Sequence, residues 1–429
     1  MTIKTPEGYT AFSTDTIKGY VSSHDDLAAR IGGGPEEMET VEIGDGNLNL
    51  VFIVKGPAGA MIIKQALPYV RLVGESWPLP LKRSFFEYHA LTRQARTSTS
   101  GARVPQIYRF DEANALIAME YLADHIILRK GLIAGIKYPK VATDLGLFMA
   151  ETLFRTSDLH MDTARKKRDV ALFSDNVELC DITESLVFTD PYRDAEMNSW
   201  TRPQLDRLAL ALRQDRDVKV AVQIMKQKFT SNAQAMVHGD LHSGSVMVTQ
   251  DDTQVIDPEF AFYGPMGFDT GALFANYFLA YFSQDGHEAA SGDRDDYREW
   301  LLATIVATWQ AFETRFRALW HSERDGILFP RALFEDQDDA VGSEQALTHT
   351  LRELFCDTMG FAGTKMVRRL VGLAHVEDME SIDDPDRRAR CEANALTMGR
   401  ELLVGRERFS SMSGVCELAR QIRIEGTTL

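Results

Sequence analysis

The chemistry of the chain concentrates in Val237-His238-Gly239-Asp240-Leu241-His242-Ser243-Gly244-Ser245, followed by Val255-Ile256-Asp257-Pro258-Glu259-Phe260. Between the two runs, Val246 to Thr249 and Gln254 to Asp257 read as short strands joined by the polar turn Gln250-Asp251-Asp252-Thr253. Such a β-hairpin places the residues before its first strand beside the end of its second. Asp240, Asp257 and Glu259 therefore lie at the two ends of one hairpin. Phosphoryl transfer from a nucleotide needs a set of this kind: one carboxylate orients the attacking hydroxyl, and others hold the magnesium ion that neutralises the β and γ phosphates. The plainer alternative is a turn-capping Asp240 with Asp257 and Glu259 as a water-facing pair; Gly239, Gly244 and the tight spacing favour function. His238, Asp240 and His242 at alternate positions also suit a transition-metal site in a metal-dependent hydrolase. That requires an extended segment, whereas the two glycines argue for a loop, and the remaining eight histidines form no second cluster.

Nearer the N-terminus, Ile43-Gly44-Asp45-Gly46-Asn47-Leu48-Asn49 sits between two strand-like segments. Its glycines let backbone N–H groups approach phosphate oxygens, although an ordinary hairpin turn has the same composition. Lys64, at the end of Met61-Ile62-Ile63-Lys64, can turn an ammonium inward to α and β phosphates or sit on the surface. Glu87 is either its partner or a solvent-facing helical residue. Met119-Glu120-Tyr121-Leu122 ends the last strand of this region, where backbone groups can hold an adenine edge or simply link two lobes.

These residues need elements to position them. Glu42-Ile43, Leu48 to Lys55, Ala60 to Gln65, Ile107 to Phe110 and Ala115 to Glu120 are short β-branched and aliphatic runs with Gly- or Asn-rich breaks, which predicts a small antiparallel sheet. One helix, Leu81 to Arg96, interrupts it. After Leu122 the periodicity becomes helical, with Leu145, Phe148, Met149 and Leu153 on one face of a helix ending near His160, then Leu205 to Arg213 and Val218 to Phe229. The expected fold is α+β, with a lobe over residues 1–122 carrying the sheet and a larger, mainly helical lobe over 123–429. The acidic segments Gln284 to Asp296 and Glu335 to Gln345 read as surface loops.

The 429 residues carry 47 Lys+Arg against 63 Asp+Glu, a net charge of −16 that repels phosphate backbones and anionic lipid heads. Nucleic acid and membrane surfaces are thus poor partners. Cys180, Cys356, Cys391 and Cys416 are widely spaced, which predicts reduced thiols rather than a zinc site or disulfides. The first residues contain no signal-peptide core, and the longest apolar stretch, Ala272 to Phe282, is too short for a bilayer. A cytoplasmic protein is expected.

In chain order, the turn at Asp45 to Asn49, Lys64, the Glu120 to Leu122 junction, His238-Gly239-Asp240 and Asp257-Pro258-Glu259 resemble the protein-kinase-like fold of small-molecule phosphotransferases. Within it the similarity is closest to the 5-methylthioribose kinases. It is carried by Glu42 to Asn49, Tyr69-Val70-Arg71 with Gly74 to Leu79, His238 to Ser245, Asp257 to Asp269, and Gly360 through Arg368-Arg369 to Val376, and it spans residues 38–400. The resemblance implies ATP-dependent phosphorylation of the anomeric hydroxyl of 5-methylthioribose, in methionine salvage and in a homodimer. By motif position it gives Asp240 the catalytic base role and Arg368 and Arg369, with Asp240, the sugar. The nucleotide falls to Asp45, Gly46, Asn47, Lys64, Glu120, Tyr121, Leu122, Asp257, Pro258 and Glu259, and Mg2+ to Asp257 and Glu259. Where most of the wider superfamily has a metal-binding Asn, this chain has Ser245, so Glu259 takes part of that coordination. Another hydroxyl kinase of the same fold, for an aminoglycoside, choline or homoserine, is the alternative acceptor class.

Overall fold

A computed structural model describes residues 8–44, 48–70 and 74–428. Asp45, Gly46 and Asn47 of the Gly-rich turn, and Arg71, lie outside the described residues.

The strand-rich region forms a five-stranded antiparallel sheet in the spatial order Glu39–Glu42, Asn49–Gly56, Gly59–Ala66, Leu116–Glu120, Ile107–Asp111. Side chains alternate across it. Phe52, Val54, Met61, Ile63, Leu116 and Ala118 turn to one face and pack under two short helices, Thr16–Ser22 and Asp25–Ile31, through Ile17, Val21, Leu27 and Ile31. Those helices have seven residues each, too few for a helical period to stand out in the sequence. Because Met61 and Ile63 face this core, Lys64 is forced onto the opposite face, toward the rest of the molecule. There the helix Arg83–Thr97 crosses the sheet and buries Phe86, Ala90 and Leu91 together with the charged Arg83 and Glu87.

The remainder is mainly helical. Met266–His287 is buried over almost its whole length, and an all-round apolar helix belongs at the centre of a bundle. It packs against Ala340–Val371 and Pro385–Val404, while Val141–Arg155 packs against Asp295–Glu323. Two small sheets are set into this bundle. Val246–Val248 pairs with Thr253–Val255, the expected hairpin, and also with Ile126–Ile127; Ala235–Val237 pairs with Phe262–Gly264. The α+β class is as expected.

Both acidic segments are shorter as loops than their composition suggests. Gln284 to His287 complete a buried helix, and Asp295 and Asp296 open the next one. The second segment holds a short 3-10 turn, Glu335–Gln337, and then Asp339, which accepts a hydrogen bond from the Gly342 N–H and starts Ala340–Val371. Acidic residues at helix N-termini oppose the partial positive charge there, and that pattern resembles a loop when read by composition alone. Among the described residues no helix is long and apolar enough to cross a membrane.

Candidate active site

The loop from His238 to Ser245 joins Ala235–Val237 to Val246–Val248 and is held from three sides. Asp269, in the first turn of Met266–His287, accepts the backbone N–H groups of His238 (2.6 Å) and Gly239 (3.0 Å). Gly239 has φ +84°, and a Cβ there would lie 2.1 Å from the Phe260 carbonyl oxygen, so only glycine lets the loop cross the Asp257-Pro258-Glu259-Phe260 segment. The Ile256 N–H donates to the Ser245 carbonyl (2.9 Å), and His238 Nε2 lies 2.9 Å from the Ile256 carbonyl. The hairpin thus places Asp257 next to the Asp240 loop, as its sequence predicts.

The two histidines brace this loop. Nδ1 of His238 accepts the Asp240 N–H (3.3 Å) and Nδ1 of His242 accepts the Gly244 N–H (2.9 Å), which puts the proton of each neutral ring on Nε2. His238 then donates to the Ile256 carbonyl, and His242 donates to Asp240 Oδ2 at 3.1 Å. Burial pushes His242 down to about 4, against the pull of Asp240, so it is neutral at pH 7. With both lone pairs taken by backbone N–H groups, neither ring is available to a metal, and the hydrolase alternative loses its ligands. Ser245 is also committed: its Oγ accepts the His242 N–H (2.8 Å) and lies 2.9 Å from the carbonyls of Asp240 and His242.

The Asp240 side chain is part-exposed. Lys365 Nζ donates to its Oδ1 at 3.1 Å, and Arg369 Nη2 lies 3.9 Å from its Oδ2. Burial works to raise its pKa, but His242, Lys365 and Arg369 outweigh this and hold the carboxyl well below the usual carboxylate range. Lys365 and Arg369 are four residues apart on one helix and so share a face. Arg368, three residues from Lys365, lies in the same charged group, close enough to act electrostatically on Lys365, Arg369 and Asp240, but it makes no ion pair with Asp240; it donates to the Ala374 carbonyl at 3.5 Å, which Arg369 also reaches at 3.1 Å. Of the two arginines named from the sequence, Arg369 is therefore the one beside Asp240. Lys365 and Asp269 were not singled out by sequence reasoning, although the four-residue spacing of Lys365 from Arg369 is a signal that could have found the first.

Across the hairpin, Lys64 Nζ pairs with Glu87 at 2.8 Å and with Asp257. Asp257 adopts φ 67°, a left-handed conformation that Asp tolerates. Glu259 is buried against Arg83, whose Nε lies 3.1 Å from Oε2, and Asn49 donates to the same oxygen at 3.2 Å. Carboxylate oxygens of Glu87, Asp257 and Glu259 lie within 4.8 Å of one another, the one such cluster among the described residues. Burial opposes the Lys64 charge, but Asp257, Glu87 and Glu259 raise its pKa; burial and the neighbouring carboxylates push Glu87 and Glu259 up as well. Three crowded carboxylates against Lys64 and Arg83 make a set of hard oxygen donors that a divalent cation such as magnesium would relieve.

At the end of the Leu116–Glu120 strand, Glu120 pairs with Gln106 twice: its carboxylate accepts the Gln106 N–H (3.1 Å) and its own N–H donates to the Gln106 carbonyl (2.8 Å). Its side chain thus serves the strand edge, leaving any adenine contact to backbone. The Tyr121 ring has the Lys55 ammonium 5.8 Å from its centroid, and Leu122 is buried. The Pro258 carbonyl accepts the Ala261 N–H at 3.1 Å, closing a turn over Glu259 and Phe260.

The chain matches the phosphotransferase enzyme family over residues 39–303. It is 46% identical over 413 residues to methylthioribose kinase 1 of Oryza sativa subsp. japonica, covering 95% of each chain. It is also 46% identical over 420 residues to the methylthioribose kinase of Escherichia coli O45:K1 (strain S88 / ExPEC), covering 98% of this chain and 100% of that one. Among solved structures, the choline kinase from Cryptosporidium parvum aligns with a TM-score of 0.45 and 12% identity, over 96% of this chain and 99% of that one. A similarity that runs nearly end to end takes in the His238 to Ser245 loop, the Asp257 hairpin end and the Lys365 to Arg369 helix face alike, and the chain belongs to the phosphotransferase enzyme family and, within it, to the methylthioribose kinases.

Proposed function

We propose that the protein transfers the γ-phosphoryl group of ATP to the anomeric hydroxyl of 5-methylthioribose, giving the 1-phosphate in methionine salvage. One observation carries this reading: Asp240, flanked by cations, stands beside a hairpin whose far end presents Asp257 to Lys64 and Glu87. In this reading Asp240 orients the sugar hydroxyl as base, and Lys64 and the backbone of residues 120–122 hold the nucleotide, with Asp45, Gly46 and Asn47 over its phosphates. Asp257 and Glu259 hold Mg2+, which when bound neutralises phosphate charge. Arg368 and Arg369 serve the sugar end. Residues 1–122 and 123–429 are the nucleotide and acceptor lobes, and the enzyme is a cytoplasmic homodimer; its four cysteines are all free thiols, which supports a reducing compartment.

The acceptor end also bears on the alternatives. Lys365 and Arg369 occupy the surroundings of Asp240, so the ammonium of choline, homoserine or an aminoglycoside would meet like charge there. The test is ATP consumption by the purified protein with 5-methylthioribose, ribose, choline, homoserine and an aminoglycoside. Methylthioribose should give the highest kcat/KM, about tenfold or more above ribose, because the methylthio group adds apolar contact. A cationic acceptor turned over faster than methylthioribose would overturn the reading.

The arginine pair gives a second expectation. Arg369→Lys keeps the charge but loses the planar fork, and should lower kcat/KM for the sugar about tenfold or more while changing ATP affinity little. Arg368→Lys should cost less. Wild-type sugar kinetics in both variants, at saturating ATP, would move the sugar site away from this helix face.

A further inference from the structure

We propose that Lys365 is a positioning residue for the reaction: its ammonium holds the Asp240 carboxylate turned to the acceptor hydroxyl and keeps it ionised, an inference that rests on the phosphotransfer reading above.

The geometry singles out this lysine. The two oxygens of Asp240 are held from different elements: Oδ1 by Lys365 at 3.1 Å from the helix Ala340–Val371, Oδ2 by His242 at 3.1 Å from the loop itself. Rotation of the carboxylate would break one of these contacts. A carboxylate has about four lone-pair positions, so two donors still leave room for a substrate hydroxyl. Lys365 is itself fixed. Its side chain is 7% exposed, and its Nζ sits 4.4 Å from the centroid of the Phe268 ring, next to the Asp269 that anchors the loop. Arg369, one turn further along, is beyond hydrogen-bond distance of Asp240 and donates to the Ala374 carbonyl instead. Among the cations of that helix, Lys365 is the one hydrogen-bonded to the carboxylate.

The charged and titratable groups around Asp240 are His238 and His242 of its own loop; Lys365, Arg368 and Arg369 of Ala340–Val371; Arg129 of Leu128–Ile133; and Asp269 of Met266–His287. His242 contributes a neutral N–H, Arg368 acts on Asp240 only at a distance while donating to the Ala374 carbonyl, and Asp269 is negative. Without Lys365, burial would push Asp240 upward with Arg369 as the main full charge opposing it. The acid limb of sugar turnover would then rise, and the carboxylate would lose the contact that fixes its plane.

The experiment compares full-length wild type, Lys365→Met, Lys365→Gln, Lys365→Arg and Asp240→Asn, recording kcat/KM for 5-methylthioribose against pH at saturating ATP and magnesium. Lys365→Met should lower kcat at neutral pH by about 10- to 100-fold, as for a weakened general base. It should raise the acid limb by about one pH unit or more, with KM for ATP within about twofold of wild type. Lys365→Arg should restore the wild-type limb. Lys365→Gln retains a donor without the charge and should move the limb as the Met variant does, which keeps the test sound if that variant does not fold. An unmoved limb in the neutral variants overturns the inference: with full activity the lysine only packs on Phe268, and with reduced kcat it acts on the sugar or phosphate and not through Asp240. If Asp240→Asn keeps its turnover, the assignment of the base fails, whatever the Lys365 variants do.

Discussion

Asp240→Asn should lose turnover by about 100- to 10,000-fold, the range of general base catalysis, while ATP affinity stays within a few-fold of wild type. The side chain keeps its shape but gives up its charge and one acceptor oxygen. His242 and Lys365 both donate to this group in the native site, and an amide offers a single oxygen to the two of them. An NH2 in place of the second oxygen confronts one donor with another, so the side chain turns, and the acceptor hydroxyl loses the atom that aligns it. The nucleotide is spared, because Lys64, Glu87 and Asp257 form their own network on the other side of the hairpin. Loop integrity should survive as well: Asp269 holds it through the backbone N–H groups of His238 and Gly239, and these bonds do not involve the Asp240 side chain. Single-turnover measurement of phosphoryl transfer together with nucleotide titration separates the two effects. Turnover near the wild-type rate, or a loss that appears as failure to bind ATP, would remove Asp240 from the role of base.

How much of this was legible in the sequence differs from residue to residue, for physical reasons. The hairpin that joins Asp240 to Asp257 was readable because strand period and turn chemistry are local, and a hairpin fixes which residues become neighbours. Lys64 was readable on the same ground, since alternation along Gly59–Ala66 decides its face once Met61 and Ile63 take the core. Lys365 reaches Asp240 across 125 positions, from a helix whose sequence shows only that it is buried on most sides; its four-residue spacing from Arg369 puts the two on one face, but only tertiary packing brings that face to Asp240. The ambiguity of Arg368 against Arg369 has the same origin: adjacent helical residues point about 100° apart, and only tertiary packing selects one. Glu259 shows the limit of reading a motif by type. Its spacing from Asp257 suggests a metal ligand, and it does lie in the carboxylate cluster, but it is also tied to an arginine that no motif connects to it.

That arginine should be the most costly side chain of the region to remove. Arg83 opens the helix Arg83–Thr97 and is completely buried, yet each part of its guanidinium has partners. Nε donates to Glu259 at 3.1 Å, Nη1 to the carbonyls of Leu67 (2.6 Å) and Pro80 (3.1 Å), and Nη2 to the carbonyl of Leu48 (2.6 Å) and Oδ1 of Asn49 (2.9 Å). One planar cation thus ties the start of the Asn49–Gly56 strand and the end of the Gly59–Ala66 strand to Glu259, beyond the hairpin. Four residues along the same helix, Glu87 ties Lys64 to the same neighbourhood. Arg83→Met fills much of the volume but strands a buried carboxylate with the Asn49 amide as its remaining hydrogen-bond donor among the described residues, along with three backbone carbonyls. Breaking a buried pair from one side costs about 3–5 kcal/mol, because the surviving charge is left uncompensated. Urea unfolding at neutral pH should show a clearly lowered midpoint. Arg83→Met combined with Glu259→Gln should recover a large part of the loss, since no unpaired charge then remains; the part not recovered measures the orphaned carbonyls. Equal destabilisation of the single and double variants would mean that the Glu259 pairing adds nothing and that Arg83 acts through its backbone contacts alone. Because the carbonyl of Leu48 borders the Gly-rich turn and Glu259 belongs to the carboxylate cluster, the single variant should also weaken magnesium-dependent ATP binding under conditions where it remains folded.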